Sequence, residues 1–292
     1  MALTVLEVAF LVLFWTWALC AGLFLWNTVL PLSPILRTPD AVGLPSETIQ
    51  FKATDGMRLE GWKIVADSSK PWIILCHGLG ANRSDLLDVA AGLHRAGFNL
   101  FLFDFRGHGG SQGRMTSFGW TEQRDLEGAL AFLGQQADVP ARPYGTYAIS
   151  MGGAVALMVA ARDERLGAIA VESPYTDLGS SLKRHARLLY SWLPPVPFHG
   201  FLVSAYRVRF GIWPSRISPA AGAARLGRRP LLVITGGADI RMPPEEAAQL
   251  AQQASGPHEL LVIQGAGHLE GFSIDPDGYT SRLVRFFEEK LP

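Results

Sequence analysis

The sequence predicts an α/β protein built on a mostly parallel sheet with helices on both faces. Three observations point there. Short apolar runs bounded by turn residues recur along the chain, segments of helical spacing separate them, and polar or glycine-rich stretches follow the runs.

The N-terminus is different in kind. From Val8 to Trp26 the stretch VAFLVLFWTWALCAGLFLW carries no charge, and apolar residues continue to Leu30. About 20 apolar residues cross a hydrocarbon core of about 30 Å, so residues 1–31 are expected to form an uncleaved transmembrane anchor, with Trp15, Trp17 and Trp26 as aromatic bulk. A cleaved signal peptide is the competing reading. It is disfavoured by the missing basic n-region, by Glu7, and by the length of the run. Lipidation at Cys20 is weaker, because bulky Leu19 precedes the cysteine. Arg37 is the basic residue nearest either end and gives a slight bias toward a cytoplasmic body, leaving the side of the membrane open.

Residues 32–45 are proline-rich, with Pro34, Pro39 and Pro45 after Pro31, and read as an extended linker. The body is expected over 46–292. Alternating runs about Thr54-Asp55-Gly56 predict a hairpin. Trp72 to Cys76 and Asn99 to Phe105 are continuous apolar runs, as strands covered on both faces would be, and Ser84 to Arg95 between them has helical spacing. The alternation continues with helix from Thr121 to Gln136, strand from Thr146 to Ile149, helix from Met151 to Arg162 and strand from Ala168 to Val171. It resumes with strand from Leu231 to Thr235, helix from Pro244 to Ala254, strand from Glu259 to Ile263 and helix from Gly278 to Lys290.

Residues 173–229 interrupt this rhythm with no clear strand and many aromatics. So long and apolar a connection either packs on the body or forms a lid over a ligand pocket. Its cations Lys183, Arg184, Arg187, Arg207 and Arg209 suit a solvated or headgroup-facing surface better than substrate recognition.

Composition excludes several classes. With 26 basic and 26 acidic side chains there is no electrostatic footprint for nucleic acid. Cys20 and Cys76 lack metal-ligand spacing and make no disulfide framework.

In doubly wound sheets chemistry gathers at the carboxyl ends of the strands. Here the predicted strands are followed in turn by His77-Gly78-Leu79-Gly80, by DFRGHGGSQG from Asp104, by Ser150-Met151-Gly152-Gly153, by GGADIRMPP from Gly236, and by QGAGH ending at His268. These five motifs resemble the α/β-hydrolase superfamily, within it the group of monoacylglycerol lipases, Bem-type proteins and serine aminopeptidases. The resemblance covers roughly Glu47 to the C-terminus. It implies an α/β-hydrolase fold with an inserted helical lid, and a nucleophile, acid and histidine in the chain order Ser150, Asp239, His268. One departure is Ala148, which stands where the family's G-x-S-x-G elbow usually has its first glycine; a methyl group is the smallest such change.

The chemistry implied is acyl transfer. A serine hydroxyl needs a base within hydrogen-bond reach, an imidazole with an ordinary pKa of about 6.5 supplies it, and a carboxylate fixes the imidazole's tautomer. The backbone N–H groups of Leu79 and Met151 would form the oxyanion hole. His77 is expected to be structural, and Asp104 and Arg106 to brace loops, with Asp104 the fallback acid. His94, His185, His199 and His258 match no motif and default to surface or packing roles. The expected activity is that of a membrane-anchored serine hydrolase on a small-molecule or lipid ester or thioester, with no metal or organic cofactor called for. A peptidase and a catalytically inactive membrane-tethered binding module are the alternatives.

Overall fold

The computed structural model describes residues 4–29, 33–192 and 195–291. The predicted junction between anchor and linker at residues 30–32 lies outside the described residues, as do residues 193–194 within the expected lid. Contacts divide the chain into two compact units. One joins the N-terminal helix to Asp177–Ile217, and the other holds the linker, the rest of the body and the C-terminus.

The larger unit is an eight-stranded sheet. Its strands are β1 (Glu47–Lys52), β2 (Arg58–Ile64), β3 (Trp72–Cys76), β4 (Asn99–Phe103), β5 (Tyr144–Ile149), β6 (Leu166–Glu172), β7 (Leu231–Gly236) and β8 (His258–Ile263). They lie in the order β1-β2-β4-β3-β5-β6-β7-β8, antiparallel where β2 meets β1 and β4 and parallel elsewhere. The predicted hairpin is therefore β1–β2, at one edge of the sheet.

Helices cover both faces, which is why the central strands β3, β4 and β5 are buried throughout instead of alternating. On one face Ile74, Cys76, Phe101 and Phe103 meet Leu126 and Leu130 of α3 (Gln123–Leu133), Val155 and Leu157 of α4 (Met151–Ala160), and Leu250 of α8 (Pro244–Gln253). On the other, Ile73, Leu75, Leu100 and Leu102 meet Leu87 and Leu93 of α2 (Leu87–Arg95) and Leu283, Phe286 and Phe287 of α10 (Pro276–Lys290). Successive residues of one strand feed opposite cores, the period-2 geometry of a pleated strand. Every residue of α4 is buried, and its content of glycine and alanine lets the chain lie close to the sheet. Short helices α7 (Pro219–Ala223) and α9 (Gly271–Ile274) complete this unit.

In the smaller unit α1 (Val5–Thr28) starts at a capping box, the Glu7 N–H donating to the Thr4 hydroxyl and the Thr4 N–H to the Glu7 carboxylate. Within it, the stretch Val5–Gly22 is long and apolar enough to cross a membrane. It packs with α6 (Pro195–Phe210), where the Trp17 indole N–H donates to the Ser204 hydroxyl at 2.8 Å. Helix α5 (Leu178–Leu189), N-capped by Asp177 through the Ser180 N–H, packs on α6 in turn. The segment expected as a lid over 173–229 thus contributes its middle, 177–217, to this helical unit, while 173–176 and 218–229 belong with the sheet.

Candidate active site

The chain turns from β5 into α4 at Ser150, whose φ of 49° and ψ of −117° are strained for a residue with a Cβ. Ser150 occupies the N-cap of α4, yet its side chain makes no capping hydrogen bond. Its N–H is instead held by the Glu172 carbonyl of β6 at 2.8 Å. The turn is so tight that a Cβ on Gly152 would stand 2.5 Å from the His77 carbonyl oxygen and 2.6 Å from that of Cys76. Only glycine fits there. Ala148, two residues before the serine, is fully buried in the sheet core, so its methyl is absorbed by packing without displacing the turn.

The hydroxyl of Ser150 lies 3.1 Å from Nε2 of His268, and Nδ1 of His268 lies 2.7 Å from Oδ2 of Asp239. With Asp239 accepting from Nδ1–H, Nε2 is left free to accept the serine proton. Asp239 is buried, and its other oxygen accepts the N–H groups of Arg241 and Met242, each at 2.9 Å. Burial pushes its carboxyl up, but the hydrogen bond from His268 and the Met242 N–H outweigh this and hold it below the usual carboxylate range.

The loops bearing these groups are sewn together by main chain. Gly237 N–H donates to the Ile263 carbonyl and Ala238 N–H to that of Ala266, each at 2.8 Å. Gly236, at the end of β7, admits no Cβ against the carbonyl oxygens of Ala266 and Gly267. The loop after β8 is thereby pressed onto the loop after β7, and this seam brings His268 to Asp239.

The loop after β3 passes close to the serine, since a Cβ on Gly78 would stand 3.3 Å from that of Ser150. Among the described residues neither the Leu79 N–H nor the Met151 N–H is consumed by a backbone hydrogen bond. His77 is fully buried; its Nε2 accepts the Phe105 N–H at 3.0 Å and its Nδ1 lies 2.7 Å from the Gly78 carbonyl. That pattern requires a neutral ring, and burial, with His108 and Arg83 nearby, keeps its pKa well below the ordinary value.

The remaining candidates are occupied elsewhere. Asp104 is buried against the Arg83 guanidinium and accepts the Arg83 and Gly110 N–H groups at 2.7 and 2.8 Å. Arg106 bridges Asp125 and Asp55. His94 is half-buried with Nε2 3.4 Å from the Val65 carbonyl, His258 is exposed, and the ring of His185 bonds the Ser181 carbonyl of its own helix.

Two supporting residues escaped the sequence reading. His108 does for Gly80 what His77 does for Phe105, its Nε2 accepting the Gly80 N–H at 3.1 Å while Nδ1 lies 2.9 Å from the Arg106 carbonyl. Glu172, buried at the end of β6, accepts the hydroxyls of Tyr147 at 3.1 Å and Tyr279 at 2.6 Å. The position of His108 in DFRGHGGSQG was a usable signal for the first; nothing local in the sequence marks the second.

Comparison with known proteins agrees with this architecture. The family model described as serine aminopeptidase, S33, matches residues 67–205. An uncharacterized protein of Mycobacterium tuberculosis strain CDC 1551 is 31% identical over 82% of this chain and 79% of its own length. The uncharacterized protein YfhR of Escherichia coli strain K12 is 30% identical over 84% of this chain and 82% of its own. The chain belongs to the α/β-hydrolase superfamily. Two solved structures share the fold of this α/β hydrolase. The Pyrococcus furiosus esterase Pf2001 superimposes with a TM-score of 0.75 at 22% identity, over 91% of this chain and 98% of the other. The α/β hydrolase GrgF of a Penicillium species gives a TM-score of 0.68 at 22% identity, over 85% and 99%.

Proposed function

We propose that this α/β hydrolase is a membrane-associated serine hydrolase that cleaves carboxylic esters or thioesters, acyl lipids among them, through an acyl-enzyme. The observation that supports it is the relay from Ser150 to His268 at 3.1 Å and on to Asp239 at 2.7 Å. Ser150 Oγ attacks the carbonyl carbon as its proton passes to Nε2 of His268, and the C–O or C–S bond to the leaving group breaks as that proton is delivered to it. Water then attacks the acyl carbon with His268 again as base, returning the serine. Asp239 stabilises the imidazolium in both steps, and the Leu79 and Met151 N–H groups stabilise the oxyanion.

The membrane half of the reading is supported by the long apolar helix α1. A lipid ester suits a protein held beside a store of acyl chains. A second reading, cleavage of peptides, is favoured by the aminopeptidase description of the matching family model. The same triad chemistry serves both. Full-length protein assayed side by side on p-nitrophenyl esters of graded chain length and on aminoacyl anilides separates them: ester turnover rising with acyl length is expected, and anilide turnover with inert esters reverses the assignment.

A further inference from the structure

The charges of the smaller unit lean toward the basic in a chain whose overall balance is zero, its acidic side chains being Glu7 and Asp177. Between Leu178 and Ile217 stand Lys183, Arg184, Arg187, Arg207, Arg209 and Arg216, and not one aspartate or glutamate. Lys183 and Arg187 are exposed, four residues apart and hence on one face of α5. At the C-terminal end of that helix Leu188, Leu189 and Trp192 are 45%, 64% and 74% exposed, large apolar side chains turned to solvent at the approach to α6. Beside them a cleft of about 350 Å³ opens between α5 and α6, with Lys183, Arg187 and His199 around it and Tyr190 and Phe198 as its aromatic lining.

Basic side chains one to two turns behind an exposed apolar helix end are the composition of a surface that enters a lipid interface, the apolar groups reaching the acyl boundary and the long basic side chains rising to the phosphates. The unit also contains α1, itself apolar over a membrane-spanning length, and α6 packs on it. Charge complementarity and continuity with a lipid-seeking helix thus name the same occupant. We propose that the packed pair α5 and α6 docks on the headgroups of anionic phospholipid, with Leu188, Leu189 and Trp192 entering the interface and Lys183 and Arg187 holding the phosphate at the mouth of the cleft. This rests on the membrane-associated reading of the chain and is independent of the chemistry at Ser150.

The test uses the full chain reconstituted in bicelles of phosphatidylcholine alone or with phosphatidylglycerol, read by hydrogen–deuterium exchange. Peptides covering residues 183–192 are expected to exchange about tenfold more slowly in the anionic bicelles. High salt should abolish that difference, as should the variant Lys183→Gln/Arg187→Gln. Equal exchange in the two lipids, or a slowing that survives both salt and charge removal, overturns the proposal. Peptides from α1 are the internal reference: their protection in both lipids reports the anchor, and its absence is a failure of the membrane reading. Labelling of Ser150 by a fluorophosphonate in the same samples reports the chemistry separately.

Discussion

Nε2 of His77 accepts the N–H of Phe105 at 3.0 Å, tying the loop after β3 to the loop after β4. His108 repeats the arrangement with Gly80. Each ring must be neutral to accept, and burial lowers the pKa of both. Unfolding exposes the rings to water, where they bind a proton near pH 6.5. The stability they contribute is therefore complete above that pH and is lost progressively below it, toward their depressed native values, at up to about 1.4 kcal/mol per pH unit for each ring. Chemical unfolding followed between pH 7 and pH 5 is expected to show a steeper loss for wild type than for His77→Gln/His108→Gln. Parallel profiles would mean that the two rings take up a proton as readily in the folded protein as in the unfolded chain.

The elbow separates two small residues that look alike in sequence. Gly152→Ala drives a methyl into the carbonyls of His77 and Cys76, so a loss of about 1–3 kcal/mol and of most hydrolytic activity is expected. Ala148→Gly only removes a buried methyl and loosens a strand, costing about 1 kcal/mol with activity retained. Thermal melts and ester assays on both variants decide it; an inactive Ala148→Gly would mean the alanine does more than fit.

Asp239→Asn keeps the shape of the carboxylate but can no longer fix Nδ1–H by accepting from it. A fall in kcat of about 10⁴ is expected with KM little changed. Asp104→Asn, by contrast, should leave kcat within a few-fold of wild type, because Asp104 is bound to Arg83 and Gly110. Steady-state kinetics on the pair would reverse the assignment of the acid if Asp104→Asn proved the more damaging.

The same Arg83–Asp104 pair is buried on both sides, with Arg83 also 2.5 Å from Glu60 and stacked over Trp62. Removing one partner leaves a buried charge uncompensated. Arg83→Met is expected to cost about 3–5 kcal/mol in denaturant unfolding, and Arg83→Met/Asp104→Leu to recover much of it. If the double variant is no better than the single, the pair is not the source of the loss.

The sheet was legible because both its faces are covered: runs such as WIILC need no alternation and stand out between turn residues. The grouping of Ser150, Asp239 and His268 was legible because each follows a strand. Legibility ended where the chain's partners are distant in sequence. Glu172 meets Tyr147 and Tyr279 only through the sheet and α10, and the grouping of α1 with 177–217 joins segments that share no motif. Helix ends were less legible too. The start expected at Ser84 is a 3₁₀ turn over Arg83–Leu86 capped by Asn82, and the α-helix proper begins at Leu87.

The most direct measurement is covalent labelling of the folded, full-length protein with a fluorophosphonate, followed by peptide mass mapping. A single adduct on Ser150 is expected, absent in Ser150→Ala and slowed by orders of magnitude in His268→Ala. A folded wild-type protein that takes no label, or one labelled equally well after the loss of His268, would mean that this serine is not activated by this histidine.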